Sequence, residues 1–136
     1  MNNKGQALAI FAIFLPFIIG VGIYAVDLSY AKYNDIKLDN ISKIVVKYGV
    51  NHINEDPRDK MIELIKENDN ELDGYDIDIN KEEGKVEVTL NDSVKGIFGN
   101  IIGKKIYEQK SNFIGYKQNE RIIIEDGARW KKMQLK

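Results

Sequence analysis

Between Lys4 and Asp27 lie 22 residues without a charge, in the stretch KGQALAIFAIFLPFIIGVGIYAVD, and this run constrains the fold more than any other segment. Crossing the hydrocarbon of a bilayer as a helix takes roughly 20 predominantly apolar residues. The leading expectation is therefore a transmembrane helix over residues 6–27. Pro16, Gly20 and Gly22 fit this expectation, because such residues weaken a soluble helix but are common in membrane helices, where neighbours re-satisfy freed backbone groups. Proline removes a donor and crowds the preceding turn, which predicts a kink near Pro16. Two other readings compete. A helix buried on every side in a soluble core needs apolar cover that the 109 residues after Asp27 are too few and too polar to supply easily. A secretion signal has an apolar segment of roughly 7–15 residues. The small-residue exit here, Ser29-Tyr30-Ala31, lies beyond Asp27 and has Tyr30 in its middle.

Charge near the run is sparse. Lys4 and the terminal amine precede it, whereas Asp27, Lys32, Asp35, Lys37 and Asp39 nearly cancel after it. The positive-inside bias then expects a single-pass protein of the cell membrane with its N-terminus cytoplasmic and its C-terminal domain extracytoplasmic. Beyond Asp27, 19 Lys/Arg stand against 20 Asp/Glu, so no strong field draws the domain to nucleic acid, and no nucleic-acid partner is expected. The chain has no cysteine, which excludes disulfides and thiolate catalysis.

After Asp27 the pattern turns amphipathic without a break. Leu28, Ala31, Leu38, Ile41, Val45 and Tyr48 recur at steps of three and four, flanked by Ile44, with Lys, Asp and Asn opposite them. One helix is expected to continue over 28–49, with Gly49 as its C-cap; its stripe needs cover from the chain's own domain or from another subunit, and Leu38, Ile41, Val45 and Tyr48 are assigned to a partner helix, with the chain's own second helix and sheet as the alternative cover. A short second helix begins at EDPRDKMIELIKEND, with Asp56 as N-cap, Pro57 at the first helical position, Asp59 in the first turn and an apolar face of Met61, Ile62, Leu64 and Ile65. YDIDINKEEGKVEVTLN alternates apolar and polar residues on both sides of a turn over 80–84, which predicts a hairpin with Gly84 available for a positive φ. SVKGIFGNIIGKK reads as a short amphipathic helix or an apolar loop, and KIYEQKSNFIGYK and RIIIED as two further strands. Trp130 stands among basic residues at the end of the sequence. The expected class is α+β: a long N-terminal helix with a small, mostly antiparallel sheet and short helices, residues 50–136 forming the extracytoplasmic domain.

Residues suited to catalysis are scarce. His52 is the only histidine, and no second histidine, cysteine or nucleophile motif completes a site with it. The sequence reading is therefore not an enzyme, with no metal or other cofactor. Asp76, Asp78, Asn80 and Glu87 have calcium-loop spacing, but Lys81 stands where such a loop requires glycine, and strand alternation explains the acids. Asn40-Ile41-Ser42 and Asn91-Asp92-Ser93 match glycosylation triplets, which arise often by chance.

KGQALAIFAIFLPFIIGVGIYAVDLSYAKY resembles the opening of the TadE/TadG family, the pseudopilin-like components of tight-adherence (Flp) type IV pilus systems. The resemblance rests on Lys4-Gly5-Gln6, the small and apolar run, Leu15-Pro16, and Val26-Asp27 before a polar amphipathic helix, and covers roughly residues 4–48. GKVEVTLND and KIYEQKSNFIGYK also resemble the sheet region of short members, less specifically. It implies a pilin-like fold. It also implies that prepilin peptidase cuts after Gly5, removing a cytoplasmic leader over 1–5 and making Gln6 the new terminus, and that the partners are other pilin-like subunits or a pilus assembly platform. Pilins of this class carry Glu five residues after the cut, where its carboxylate can neutralise a neighbouring subunit's terminal amine; here the position is Ile10. An unpaired buried amine is costly, so the departure points to the TadG-like variety and to a minor subunit or assembly factor. The rival expectation is a single-pass anchored binding or scaffold domain unrelated to pili.

Overall fold

The computed structural model describes residues 3–96 and 106–127. Over these residues the chain is α+β, with a long N-terminal helix, one short helix and a small four-stranded antiparallel sheet. It divides into two compact units, one made of Met1–Tyr33 with Val94–Tyr107, the other of Asn34–Ser93 with Glu108–Lys136. The apolar segment around Ile97, Phe98, Ile101 and Ile102 and the cluster at Trp130 lie outside the described residues.

Helix α1 (Asn3–Asn51) is a single element of 49 residues with Pro16 inside it. It includes Gly5 and Gln6. At its other end the expected C-cap at Gly49 is wrong. Gly49 is buried inside the helix, where a Cβ would meet Met61 Cε at 2.8 Å and Val86 Cγ1 at 3.1 Å. Its missing side chain admits these neighbours, and the helix proceeds to Asn51 before a 3-10 turn over Ile53–Glu55.

Helix α2 (Arg58–Asn68) starts one residue later than expected, with Pro57 rather than Asp56 at the N-cap. A residue before proline avoids the right-handed helical region, and Asp56 takes the left-handed one at φ 55°, which aspartate tolerates better than most residues. The Pro57 carbonyl accepts from the Met61 amide at 2.9 Å and closes the first turn.

Strands β1 (Gly74–Asn80), β2 (Lys85–Lys95), β3 (Ile106–Gln118) and β4 (Arg121–Asp126) pair in chain order. The first hairpin sets Ile77 opposite Val88 and Ile79 opposite Val86. Gly84 turns it at φ 68°, and Asn80 Oδ1 accepts from the Glu83 amide at 3.1 Å. The second hairpin turns on Asn119 and Glu120, both at positive φ, with Gln118 opposite Arg121. Strand β2 continues through Val94, where a return to helical period was expected. The added strand residues keep alternating, with Val94 buried between exposed Ser93 and Lys95.

The core of the second unit joins one face of α1 to α2 and the sheet. Leu38, Ile41, Val45, Val46 and Val50 are buried with Met61, Ile65, Ile77, Val86, Val88, Leu90 and Phe113, and Tyr48 packs partly buried against them. This corrects the partner-helix assignment: the stripe of Leu38, Ile41, Val45 and Tyr48 is covered by the protein itself. Periodicity identified the face; the cover comes from residues distant in sequence. Ser42, also fully buried, lies 2.9 Å from Ser111 through their hydroxyls, and Ser111 donates to Asp39 at 2.8 Å. Since Ser111 has one hydroxyl proton, Ser42 is the donor in the serine pair. Tyr116 donates to Glu125 at 3.2 Å. Burial first, and the Glu125 charge and hydrogen bond next, hold the Tyr116 hydroxyl above its usual pKa.

Candidate functional site

The surface that stands out is the first half of α1. Its apolar window has a mean hydropathy of 2.5 and none of it is buried. Leu8, Phe11, Phe14, Phe17, Ile18 and Val21 project from several sides of the helix, with Phe17 72 % exposed. Large apolar side chains left in water forfeit about 1.5–3 kcal/mol each, and soluble proteins rarely leave a contiguous apolar patch of this kind uncovered. The helix is long and apolar enough to cross a membrane. Ile10, at the position where the resemblance expects Glu, is 55 % exposed and belongs to this apolar surface.

Pro16, Phe17, Gly20, Val21 and Tyr24 line a shallow notch of about 440 Å³. The notch exists because Gly20 has no side chain between its neighbours one turn to either side. Gly5, Gly20 and Gly22 have open space where a Cβ would stand. Close packing within the chain therefore does not require glycine at these positions. Asp27 differs from everything before it: it is fully buried at the end of the run.

The second unit has a polar groove of about 640 Å³, lined by Asp35, Asp39, Asp76, Glu87 and Asp126 with Lys110 among its neighbours. Asn112 crosses its floor, donating to Glu87 at 2.9 Å and Thr89 at 2.7 Å. Among the described residues, no three His, Cys, Asp or Glu are placed to hold a metal ion. The calcium-like spacing is spread over a hairpin, with Asp76 opposite Thr89 and Asp78 opposite Glu87. His52 does not line the groove. Its ring stacks on Tyr48 at 4.1 Å, and Nδ1 donates to the Tyr48 carbonyl at 3.0 Å, so this half-buried residue caps the helix end.

The sequence pattern singled out Gly5, Gln6, Ile10, Pro16, Gly20 and Gly22, and all lie in the exposed half of α1; it also named Asp27, which the chain shields. It missed Ser42, Val46, Val50 and Gly115. The four-residue steps from Leu38 through Ser42 and Val46 to Val50 held a signal for the first three. Gly115 had none, since its closeness to α1 depends on a contact across the fold. Comparison of the chain with protein families, curated proteins and solved structures finds no match.

Proposed function

We propose that the protein is a minor pseudopilin-like subunit, or a membrane-held assembly factor, of a Tad/Flp-type pilus, working through helix packing and protein contacts rather than catalysis. One observation carries the reading: α1 joins, in one unbroken helix, an exposed apolar half to an amphipathic half that packs on an antiparallel sheet. An anchor needs only the first half. A helix that must leave the bilayer with its domain and pack among similar helices needs both. The order of motifs from Lys4 to Asp27 adds the pilus system and prepilin peptidase to this reading, with the N-terminus cytoplasmic and the domain outside. The membrane-anchored scaffold unrelated to pili remains the rival.

Because Leu38, Ile41 and Val45 are occupied within the chain, a partner helix must use the exposed half. Photocrosslinkers at Phe14 and Ile18 in native membranes are expected to capture a pilin-like subunit or an assembly-platform protein. Deletion of the gene is expected to reduce piliation. Lipid-only adducts together with unchanged piliation would leave the scaffold reading in its place.

A further inference from the structure

Three tyrosines follow one another where the apolar run ends. Tyr24, Tyr30 and Tyr33 are 51, 46 and 69 % exposed, whereas Asp27 is fully buried and Ala31 nearly so. Residues four apart share a helix face, as do residues three apart. Asp27 and Ala31 thus share the sheltered side of α1; Tyr30, three residues on from Asp27, stands at its edge and Tyr33 farther round, and both are exposed. The unit that contains this segment also buries Val94 and Tyr107. Burial chiefly, then the charges of Asp27 and Tyr24, raise the pKa of the Tyr107 hydroxyl. The acidic side of the helix is therefore sheltered by the chain itself, and the tyrosine side is not.

We propose that residues 27–33 of α1 lie in the headgroup layer of a phospholipid bilayer, with Tyr30 and Tyr33 against the headgroups and the Asp27–Ala31 side held away from lipid by the chain. The inference rests on α1 entering a membrane and is independent of any role in pili. Length supports it. Hydrocarbon about 30 Å thick takes about 20 residues at about 1.5 Å each. The uncharged run of 22 residues, Gly5 to Val26, spans that thickness with a slight tilt and places the far edge near Asp27. Headgroups add about 5–7 Å on each side, or four to five residues, which from Asp27 reaches Ala31. Helical side chains also lean toward the N-terminus, so the Tyr33 ring tilts back toward this layer. Chemistry supports it as well, because tyrosine has an apolar ring and a hydroxyl that prefers water, the combination enriched at membrane interfaces. A second copy of the chain would be favoured by side chains apolar to their tips, such as those at Phe14 and Ile18.

The absence of cysteine makes site-directed spin labelling direct. Single cysteines at Ile18, Ser29, Lys32 and Ile44 of the full chain would carry nitroxides in vesicles of phosphatidylcholine and phosphatidylglycerol. Collision rates with oxygen and with a neutral nickel chelate would then report depth. The expected order is Ile18 in hydrocarbon, Ser29 and Lys32 at the headgroups, and Ile44 in water. In the Tyr30→Ala/Tyr33→Ala variant, nickel access at Lys32 should rise about twofold or more as the interfacial anchors are lost. Three results would overturn the inference: Ser29 and Lys32 as nickel-accessible as Ile44, spin–spin broadening that reveals a second copy at those positions, or no change in the double variant. Nickel access at Ile18 equal to that at Ile44 would overturn the membrane reading along with it.

Discussion

Gly115→Val is expected to destabilise the sheet by about 3 kcal/mol or more, at the upper end of what overpacking a core costs. A Cβ at Gly115 would stand 2.2 Å from Val46 Cγ1 and 3.1 Å from Val50 Cγ2. Carbon atoms in contact sit about 3.5–4.0 Å apart, so the helix and strand must separate by more than an ångström. Neither neighbour yields easily, because valine has a single χ angle and a β-branched side chain in a helix strongly prefers one rotamer. Both valines are buried in the core that also holds Leu38 and Phe113, and displacement there spreads to those contacts. Hydrogen exchange of sheet amides in the full chain, held in detergent, measures the loss. Exchange should accelerate on the order of 100-fold or more. Removing the nearest obstacle with Val46→Ala in the same background should recover part of the stability. Equal exchange in Gly115→Val and the parent chain would show that α1 does not approach β3 so closely.

Leu38→Ala is expected to cost about 2–5 kcal/mol, the range for truncating a fully buried leucine. Leu38 has no exposed surface, and the groups around it come from the same chain. Ile44 lies on the same helix but is 51 % exposed. Its alanine variant should change stability by no more than about 0.5 kcal/mol. The contrast separates two uses of an apolar stripe. If the chain fills its own core, the Leu38 effect appears in dilute detergent and does not depend on protein concentration. If the stripe served a partner, Leu38→Ala would be nearly neutral in the isolated chain and harmful only in the assembly. The same hydrogen-exchange measurement, repeated at two protein concentrations, distinguishes them.

Much of this fold was legible because its local periods are clean. Tyr75 to Ile79 and Val86 to Leu90 alternate, the turn between them ends in Gly84, and β1 and β2 formed where that pattern placed them. The uncharged run from Gly5 to Val26 likewise became helix. The errors arose where a residue's role depends on something distant. Gly49 resembles a helix stop in sequence, but Met61 and Val86 use its missing side chain as space. The stripe of Leu38, Ile41 and Val45 was visible as a face, yet nothing in its spacing says whether the chain or a partner covers it. At Pro57, local steric effects on Asp56 moved the cap by one residue. Within the candidate site, exposure could not be read from composition: Asp27 is sheltered while the apolar residues before it are bare, the reverse of the usual order.

The mature N-terminus tests the pseudopilin reading most directly. The full chain would be expressed with an active prepilin peptidase and its intact mass measured, alongside Gly5→Val. The first turns of α1 already include Gly5 and Gln6, so the peptidase must unwind them to take an extended strand, and a branched side chain at residue 5 would obstruct that backbone. The reading predicts a mature chain that begins at Gln6 and a Gly5→Val chain that keeps all five leader residues. A parent chain that retains Met1–Gly5 beside a peptidase shown to be cutting another substrate would contradict it and leave a membrane-anchored domain.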